Sequence, residues 1–484
     1  MDFSLIKGRI QRYSRSSQVG ECLELLLQAQ REKQKNYPFW NVLVLLKWIL
    51  IYSKDSSLRQ QATRKEIIDT LNLVEQFESE QKVIKFKKGV ERGLRIIAYQ
   101  QFWAQNTITH DTFDRQLALY RLITRSKSID KEFTKLAGIN IEEFINLLYI
   151  TYLYLIFDRF TPNTQYSGTL HGDYFEITDK MFGRPVTSRF LELLTLTNFK
   201  QAQTLQKMSH EGYQLYESSF WSLKPFLVVN GLFVTPHIVV YEETARHFIY
   251  NFLKQKSPSF TEDFGYIMED YIDLGLQELR VKYLREAQLL RDYPALTKTC
   301  DFLVDDNILI ETKAIELHPR TAILRNAQLM ASDLQSSIVK AYIQLISTAQ
   351  VIDSSREWYA IVVTYKETYI GFGEAAWEEF LKQPIERFLL EAGITRNPVP
   401  PKNVCFINLE DWDWIVQNIK DEKGTISSII KTALDMNASP NPAKKILFFE
   451  QAMRLHYRVH QFNLSYLNEG NKLLKRVDTS NRGS

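Results

Sequence analysis

The segment 298–314 constrains the fold more than any other part of this 484-residue chain. It reads KTCDFLVDDNILIETKA, in which two short apolar runs flank the turn-forming trio Asp305-Asp306-Asn307. Apolar runs of this length, bounded by residues that favour turns, are typical of β-strands. We therefore predict a β-hairpin with strands over 300–304 and 308–312 and a loop centred on Asp306.

This hairpin register brings two carboxylates together. With the loop centred on Asp306, Asp301 lies opposite Glu311, and directly opposed side chains are about 5 Å apart at Cβ. Lys313 stands two residues beyond Glu311 and therefore points to the same face of the strand. Paired carboxylates suit Mg²⁺ or Mn²⁺, and a neighbouring lysine can hold an attacking water. These residue types predict metal-assisted attack on a phosphodiester.

The pattern resembles a known nuclease motif. Asp301, nine intervening residues and then Glu311-Thr312-Lys313 are similar to the signature of the PD-(D/E)xK, or restriction-endonuclease-like, nuclease superfamily. Cys300 stands where that motif often has a proline. The short pattern (Asp/Glu)-x-Lys also occurs at 80–82 and 421–423, but only the copy at 311–313 has an apolar strand and an aspartate upstream. The resemblance covers about residues 260–410.

The resemblance implies roles for four residues. Asp301 and Glu311 would bind Mg²⁺ or Mn²⁺, Lys313 would position the nucleophile, and Glu269 on the preceding helix would assist. The run Phe264–Leu276, within a helix expected over about 262–290, looks like that preceding helix. A helix over 322–350 and strands over 358–364, 369–372 and 404–409 match the later elements of the family's core. The exonuclease signature Gln-x-x-x-Tyr is absent after Lys313, which favours an endonuclease.

The remaining segments indicate an α+β multidomain protein. We expect an all-α N-terminal domain over 1–160, a mixed connecting module over 161–255, an α/β restriction-endonuclease-like core over 256–415 and a helical C-terminal extension over 416–484. The connecting module shows alternation at 174–178, which predicts a strand, and an apolar run at 226–234 that predicts a hairpin turning at Asn230-Gly231.

Positive charge is concentrated near the N-terminus. Residues 1–100 carry 18 Lys and Arg against 11 Asp and Glu, whereas the whole chain has a net charge of only +3. A basic run at 82–95 could track phosphates, although a solvated helix face explains it equally well. Lys340 and Gln344 share a helix face and could touch a phosphate, although surface solvation is the simpler interpretation. The candidate phosphate contacts of the basic run are Lys82, Lys85, Lys87, Lys88, Arg92 and Arg95.

The amino-acid composition indicates the cellular compartment in which the protein is expected. The three cysteines are too few for a disulfide framework and fit a reducing compartment. No signal peptide is visible, and the longest apolar runs are shorter than the roughly 20 residues that a spanning helix needs. We interpret Phe144–Phe157 as a buried core helix and expect a cytoplasmic protein that does not enter membranes.

The favoured function is a Mg²⁺-dependent endonuclease whose partner is nucleic acid. DNA is favoured over RNA as the substrate because most of the superfamily cuts DNA. RNA, including transfer RNA, is the alternative substrate. A helical region fused to such a core resembles bacterial nucleases that defend against phage. Double-strand cutting would favour a homodimer, and a regulating protein partner is a further possibility. The alternatives are a nucleic-acid-binding protein with an inactive core and a helical interaction protein of another fold.

Overall fold

The computed structural model describes residues 2–32, 38–56, 58–81, 95, 97–98, 108–123, 125–158, 166, 168–197, 202, 215, 220–315 and 327–474. Within these ranges the protein is mixed α+β and mostly helical, with two small sheets that each contain parallel and antiparallel strand pairs.

The first part of the chain is helical, as predicted. A π-helical turn at Ala118–Leu122 directly follows the helix His110–Leu117. The central helix of this region buries Phe144, Leu147 and Leu148, so the prediction of a core helix there is confirmed. The helices are α1 (Phe3–Ile10), α2 (Arg15–Glu32), α3 (Phe39–Tyr52), α4 (Arg64–Gln81), α5 (His110–Leu117), α6 (Ser126–Ala137) and α7 (Ile141–Asp158).

The first sheet has the strand order β1-β4-β3-β2. Its hairpin turns at Asn230 and Gly231, as predicted, and both residues have positive φ, at 51° and 80°. Glycine and asparagine tolerate this left-handed backbone better than other residues do. The strands are β1 (Thr169–Leu170), β2 (Thr195–Leu196), β3 (Phe226–Val229) and β4 (Leu232–Val234), and the helices of this region are α8 (Gly172–Phe182), α9 (Arg184–Leu194) and α10 (Ile238–Lys256).

The strand predicted at 174–178 is wrong, because these residues lie inside α8. Tyr174 and Thr178 are both buried and stand four residues apart. Residues at this spacing share one face of a helix as well as one face of a strand. The alternation over so short a stretch therefore could not distinguish the two structures.

The second sheet has the order β5-β6-β7-β8-β9. Strand β6 is antiparallel to both β5 and β7, whereas β8 is parallel to β7 and β9 is parallel to β8. The strands are β5 (Tyr283–Arg285), β6 (Phe302–Val304), β7 (Ile308–Lys313), β8 (Tyr359–Thr364) and β9 (Val404–Asn408).

Helices accompany this sheet along the chain. A π-helical turn precedes α14, and another precedes α16. The helices are α11 (Phe260–Leu279), α12 (Glu286–Asp292), α13 (Ala327–Asp333), α14 (Lys340–Asp353), α15 (Gly373–Ala376), α16 (Lys382–Glu391), α17 (Leu409–Lys420), α18 (Ile426–Asn437), α19 (Phe449–His456) and α20 (Ser465–Leu473).

Two predictions in this region are wrong. The helix expected over 262–290 ends at Leu279, and β5 and α12 occupy the rest. The strand expected over 369–372 is reduced to one bridge, between Phe372 and Cys405. The other four strands lie within about two residues of their predicted bounds. The helix expected over 322–350 is present from residue 327 onward as α13, a π-helical turn and α14, and residues 322–326 lie outside the described residues.

The second sheet is buried on both faces. Ile308 and Ile310 of β7 belong to a core that also includes α11 and α17, whereas Leu309 belongs to the core beneath α14. Alternate residues of a strand point to opposite faces, so β7 reads as a continuous apolar run. Each such fully buried side chain contributes about 1.5–3 kcal/mol to stability.

One apolar core runs through all four predicted segments. It includes Phe3, Tyr241, Ile310 and Leu467, one residue from each segment. Residues of the helical N-terminal part, the connecting module and the C-terminal extension therefore share this core with one face of the second sheet, whereas Leu309 and α14 belong to a second core on its other face.

A buried polar cluster fastens these helices together. Asp413 of α17 is fully buried and accepts the Nε hydrogen bond of Arg115 at 2.6 Å. Tyr271 of α11 and Tyr466 of α20 also donate their hydroxyls to Asp413, at 2.9 and 2.8 Å. Burial raises the pKa of Asp413, and the Arg115 charge opposes that rise. The cluster joins four helices that are distant in the sequence.

Among the described residues, no single helix is long and apolar enough to cross a bilayer. The bent pair 126–137 and 141–157 meets the requirement only when the two helices are taken together.

Candidate active site

The hairpin β6–β7 has the register that the sequence predicts. Phe302 pairs with Ile310 and Val304 with Ile308, which centres the loop on Asp306. Asp305 and Asp306 adopt φ values of 49° and 63°. Aspartate tolerates this left-handed region because its short side chain can hydrogen-bond locally.

Asp301 precedes β6 and is held by the facing strand. The backbone amide of Thr312 donates to Asp301 Oδ2 at 2.6 Å, and the Thr312 hydroxyl donates to the same oxygen at 2.7 Å. Asp301 is buried, and burial raises its pKa, while the Lys313 charge and the Thr312 hydrogen bonds oppose that rise. These bonds use Oδ2 only, and Asp301 also lines a surface cleft.

Glu311 is fully buried on β7. Its Oε1 pairs with the Lys313 ammonium, whereas its Oε2 has no hydrogen-bond partner among the described residues. Burial raises the pKa of Glu311 well above its ordinary value, and the Asp301 charge adds to the rise. A buried carboxylate oxygen without a partner is destabilising, so the carboxylate is suited to a bound cation.

Lys313 extends from the end of β7 toward the two carboxylates. Its Nζ contacts Glu311 and lies 3.5 Å from Gln344 Oε1. Burial alone would lower the pKa of Lys313, but Glu311 and Asp301 outweigh it and raise that pKa. The ammonium is therefore charged at neutral pH and faces both acids.

Glu269 of α11 is half-buried and lines the same cleft as Asp301. Burial raises the pKa of Glu269 to about 7, and the charges of Asp301 and Glu286 contribute to the rise. An acid with a pKa near neutral can both accept and release a proton under physiological conditions. The four residues implied by the resemblance thus interact electrostatically in one place.

Glu286 is an additional acid that sequence reasoning missed. It begins α12, and its backbone amide donates to the carbonyl of Asp301 at 2.9 Å. Burial and the Asp301 charge raise the pKa of Glu286, whereas Lys313 and Lys340 oppose that rise. The run Val281–Leu284 contains strand-forming residues. This run was the available signal for β5, the strand that precedes Glu286.

The cleft beside these acids has a volume of about 580 Å³. Its lining combines carboxylates, guanidinium groups and aromatic rings. Its lining includes Glu269, Asp273, Glu286 and Asp301 together with Arg125, Arg285, Tyr266 and Tyr283.

Two polar residues of α14 also lie at the site. Gln344 donates from Nε2 to the carbonyl of Thr299 at 2.9 Å and approaches Lys313 through Oε1. Lys340 is exposed and close enough to Glu286 to lower that acid's pKa. Gln344 is therefore tied to the site, and Lys340 is available at its edge.

Of the basic run at 82–95, the structure describes only Arg95. Arg95 is buried, its guanidinium pairs with Glu379, and its Nη2 lies 3.7 Å from Met330 Sδ. The prediction of a phosphate contact by Arg95 is therefore at odds with its burial and its ion pair. The other residues of the run lie outside the described residues: Lys82, Lys85, Lys87, Lys88 and Arg92.

The acidic side chains of the site are its potential ligands for a divalent cation. The described part of the chain contains no group of three or more His, Cys, Asp and Glu side chains arranged for a metal ion. Mg²⁺ is commonly bound through one or two carboxylates, with water and substrate phosphate as the remaining ligands. Asp301 and Glu311 fit that pattern, because Glu311 Oε2 is buried and has no hydrogen-bond partner within the described ranges.

Comparisons with protein-family models, with curated proteins and with solved structures find no match to this chain. Its function is therefore inferred from the geometry and chemistry of the site.

Proposed function

We propose that this protein is a metal-dependent nuclease of the PD-(D/E)xK type that hydrolyses phosphodiester bonds. The observation that carries the proposal is the hairpin β6–β7, which gathers Asp301, Glu311 and Lys313. It leaves Glu311 Oε2 buried without a hydrogen-bond partner in the part of the chain that the structure describes. A surface hairpin with a charged face would instead expose these side chains to water.

The order of elements supports the same proposal. Helix α11 precedes three antiparallel strands, β5, β6 and β7, and α14 then leads to β8, which is parallel to β7. This is the order expected from the resemblance to restriction-endonuclease-like cores. The two acids and the lysine stand at the start of β6 and the end of β7.

Asp301 and Glu311 are the residues that would hold Mg²⁺ or Mn²⁺. Such a cation would lower the pKa of a water and neutralise charge that develops on the phosphoryl oxygens. Thr312 fixes the orientation of Asp301 through two hydrogen bonds, so this carboxylate is preorganised.

Lys313 and Glu269 supply the remaining chemistry. The Lys313 ammonium is positioned to stabilise negative charge on the attacked phosphate. Glu269, whose pKa is about 7, is suited to accept the proton of the attacking water. Water forms the new P–O bond, one existing P–O ester bond breaks, and the departing oxygen takes a proton. The products are a phosphate monoester end and a free hydroxyl end.

We assign DNA as the substrate and internal cleavage as the mode, on the resemblance alone. The helical N-terminal region and the connecting module over 161–255 would then recognise substrate or a regulating partner. Defence against foreign nucleic acid is the setting in which similar fusions of a helical region and a nuclease core occur, and it stays a proposal by analogy.

A cleavage panel tests the proposal. The purified protein would be incubated with plasmid DNA, single-stranded DNA and total RNA, each with Mg²⁺, Mn²⁺ or EDTA. We expect cleavage of at least one substrate with Mg²⁺ or Mn²⁺, no cleavage in EDTA, and none with Asp301→Ala. Cleavage that continues in EDTA or in Asp301→Ala would contradict the assignment of the site.

A second readout separates an inactive core from an active one that awaits its substrate. Mn²⁺ binding would be measured by calorimetry for wild-type protein and for Glu311→Gln. Binding by wild type but not by Glu311→Gln would support the cation site even if no substrate in the panel is cut. Absence of Mn²⁺ binding by wild type would contradict the proposed function.

A further inference from the structure

The cleft next to the acids carries a stacked cation and aromatic ring. The guanidinium carbon of Arg125 lies 5.0 Å from the ring centroid of Tyr266. Both side chains line the cleft and are open to solvent, with 45% of Tyr266 and 53% of the Arg125 side chain exposed. A large exposed aromatic beside a charged group is typical of a binding surface rather than of a core.

Ion pairs hold this stack in place. Arg125 Nε lies 3.5 Å from Asp270 Oδ2, and the other oxygen of Asp270 accepts a hydrogen bond from Arg285 Nη2 at 2.9 Å. Arg285 in turn lies 3.4 Å from Asp273 through Nη1. The plane of the Arg125 group is therefore oriented before any ligand arrives, which lowers the entropy lost on binding.

The two members of the stack come from different parts of the chain. Arg125 lies immediately before α6 in the N-terminal helical region, whereas Tyr266 lies on α11, one turn before Glu269. A ligand that touches both would contact the helical region and the acids of the candidate active site together. This links the N-terminal helices to the substrate rather than to a remote surface.

The charge of the cleft argues against recognition through phosphates alone. Its lining holds four carboxylates against two guanidinium groups: Glu269, Asp273, Glu286 and Asp301 against Arg125 and Arg285. A surface that binds duplex through its backbone is instead rich in Lys and Arg. Attraction in this cleft must therefore come largely from stacking and from any bound cation.

Stacking selects for unpaired bases. In a duplex the faces of the bases are covered by their neighbours, so neither a tyrosine ring nor an arginine plane can reach them. In single strands the bases can be splayed out onto aromatic rings and guanidinium planes. A cleft of about 580 Å³ lies in the size range of pockets that enclose small organic ligands, such as a nucleotide.

From these observations we infer that the cleft binds an unpaired nucleotide of a single-stranded nucleic acid, with its base stacked on the Tyr266–Arg125 pair, beside the bond to be cut. The inference rests on the proposed function where it places the nucleotide beside the bond to be cut. The binding of the nucleotide itself does not require cleavage. Tyr266 and Arg125 are specificity-determining residues in this account.

Equilibrium binding tests the inference without relying on catalysis. Fluorescence anisotropy would be measured with labelled single-stranded DNA, single-stranded RNA and a blunt DNA duplex of the same length. The protein would carry Lys313→Ala, which removes the proposed nucleophile-positioning group, and the buffer would contain Mg²⁺. We expect tighter binding of at least one single-stranded probe than of the duplex.

Substitutions of the stack then identify the contact. Tyr266→Ala should weaken single-strand binding by about tenfold or more, because base stacking on an aromatic ring is worth about 1–3 kcal/mol. Tyr266→Phe keeps the ring and should bind nearly as well as the parent. Arg125→Ala should weaken single-strand binding as well. Phe157→Ala, which removes an exposed aromatic outside the cleft lining, serves as the control and should change nothing.

Two outcomes would overturn the inference. One is duplex binding as tight as, or tighter than, binding of both single-stranded probes. The other is a Tyr266→Ala protein that unfolds at the wild-type temperature and binds the single strand as tightly as the parent. Failure of the proposed function looks different, because in that case wild type would bind the single strand but leave every substrate of the cleavage panel intact.

Discussion

Thr312, the residue between Glu311 and Lys313, donates two hydrogen bonds to Oδ2 of Asp301 across the hairpin. The middle position of the Glu-x-Lys pattern therefore has a structural role, because it orients the carboxylate that precedes the neighbouring strand. The amide bond depends only on the backbone, whereas the hydroxyl bond depends on the side chain. This difference makes the role of the side chain testable.

Thr312→Val keeps the shape of the side chain and the amide bond but removes the hydroxyl. Partners that orient a metal ligand typically contribute about 10–100-fold to metal affinity, so we expect Mn²⁺ to bind about tenfold more weakly in calorimetric titration. Thr134→Val, on an exposed helix position, is the matched control. Equal Mn²⁺ affinity in wild type and Thr312→Val would show that the hydroxyl does not matter for the site.

Glu269 makes the stability of the metal-free protein depend on pH. Its folded-state pKa of about 7 is above the ordinary 4.5, so between these values the folded protein holds a proton that the unfolded chain has lost. The contribution of Glu269 to the free energy of unfolding therefore falls as pH rises through this window and is lowest above pH 7.

Glu269→Gln cannot titrate and removes this dependence. In EDTA, we expect wild type to lose stability relative to Glu269→Gln between about pH 5 and about pH 8, as measured by urea unfolding. Taking the difference between the two proteins cancels the titration of other groups. A difference that stays constant with pH, or one that moves in favour of wild type, would be inconsistent with the raised pKa.

The Asp413 cluster predicts a large stability effect far from the cleft. Asp413→Ala leaves the Arg115 guanidinium buried without its closest partner, and breaking such a pair typically costs about 3–5 kcal/mol. Tyr466→Phe removes only one hydrogen bond to Asp413 and should cost about 1–1.5 kcal/mol. Both free energies can be measured by chemical denaturation. If both substitutions lowered the free energy of unfolding by similar, small amounts, water would be replacing the missing carboxylate, and the prediction would be wrong.

The candidate site was largely predictable because its geometry is local. The trio at 305–307 favours a turn, and a hairpin that turns at Asp306 leaves one possible partner for each strand residue. Asp301, Glu311 and Lys313 therefore followed from spacing alone. The prediction that Glu269 belongs to the site required the resemblance to the nuclease superfamily, because the packing of α11 beside the hairpin is a long-range contact.

The strand β5 and the residues after it were not predictable in the same way. Helix α11 ends where Arg280 adopts a φ of 54°, and no glycine or asparagine marks that position. The pattern from 262 to 290 therefore reads as one helix, and Glu286 goes unnoticed. Arg125 and Tyr266 were missed for another reason, since they are far apart in the sequence and only the tertiary fold stacks them.

Burial also explains the outcome for Arg95. A run of positive residues at 82–95 indicates a charged surface, but sequence does not reveal where an individual arginine finds an acid. Arg95 meets Glu379, which lies almost three hundred residues later in the chain. Long charged side chains are buried when such a partner is present.

Lys313 provides the most direct test of the central claim, because the chain contains a matched control. Lys423 ends another (Asp/Glu)-x-Lys copy, which is solvent-exposed and pairs with Asp421. The rate of nucleic-acid cleavage with Mg²⁺ would be measured for wild type, Lys313→Ala and Lys423→Ala. We predict a loss of about a hundredfold or more for Lys313→Ala and none for Lys423→Ala. Cleavage by Lys313→Ala at the wild-type rate would contradict the assignment of the hairpin as a nuclease active site.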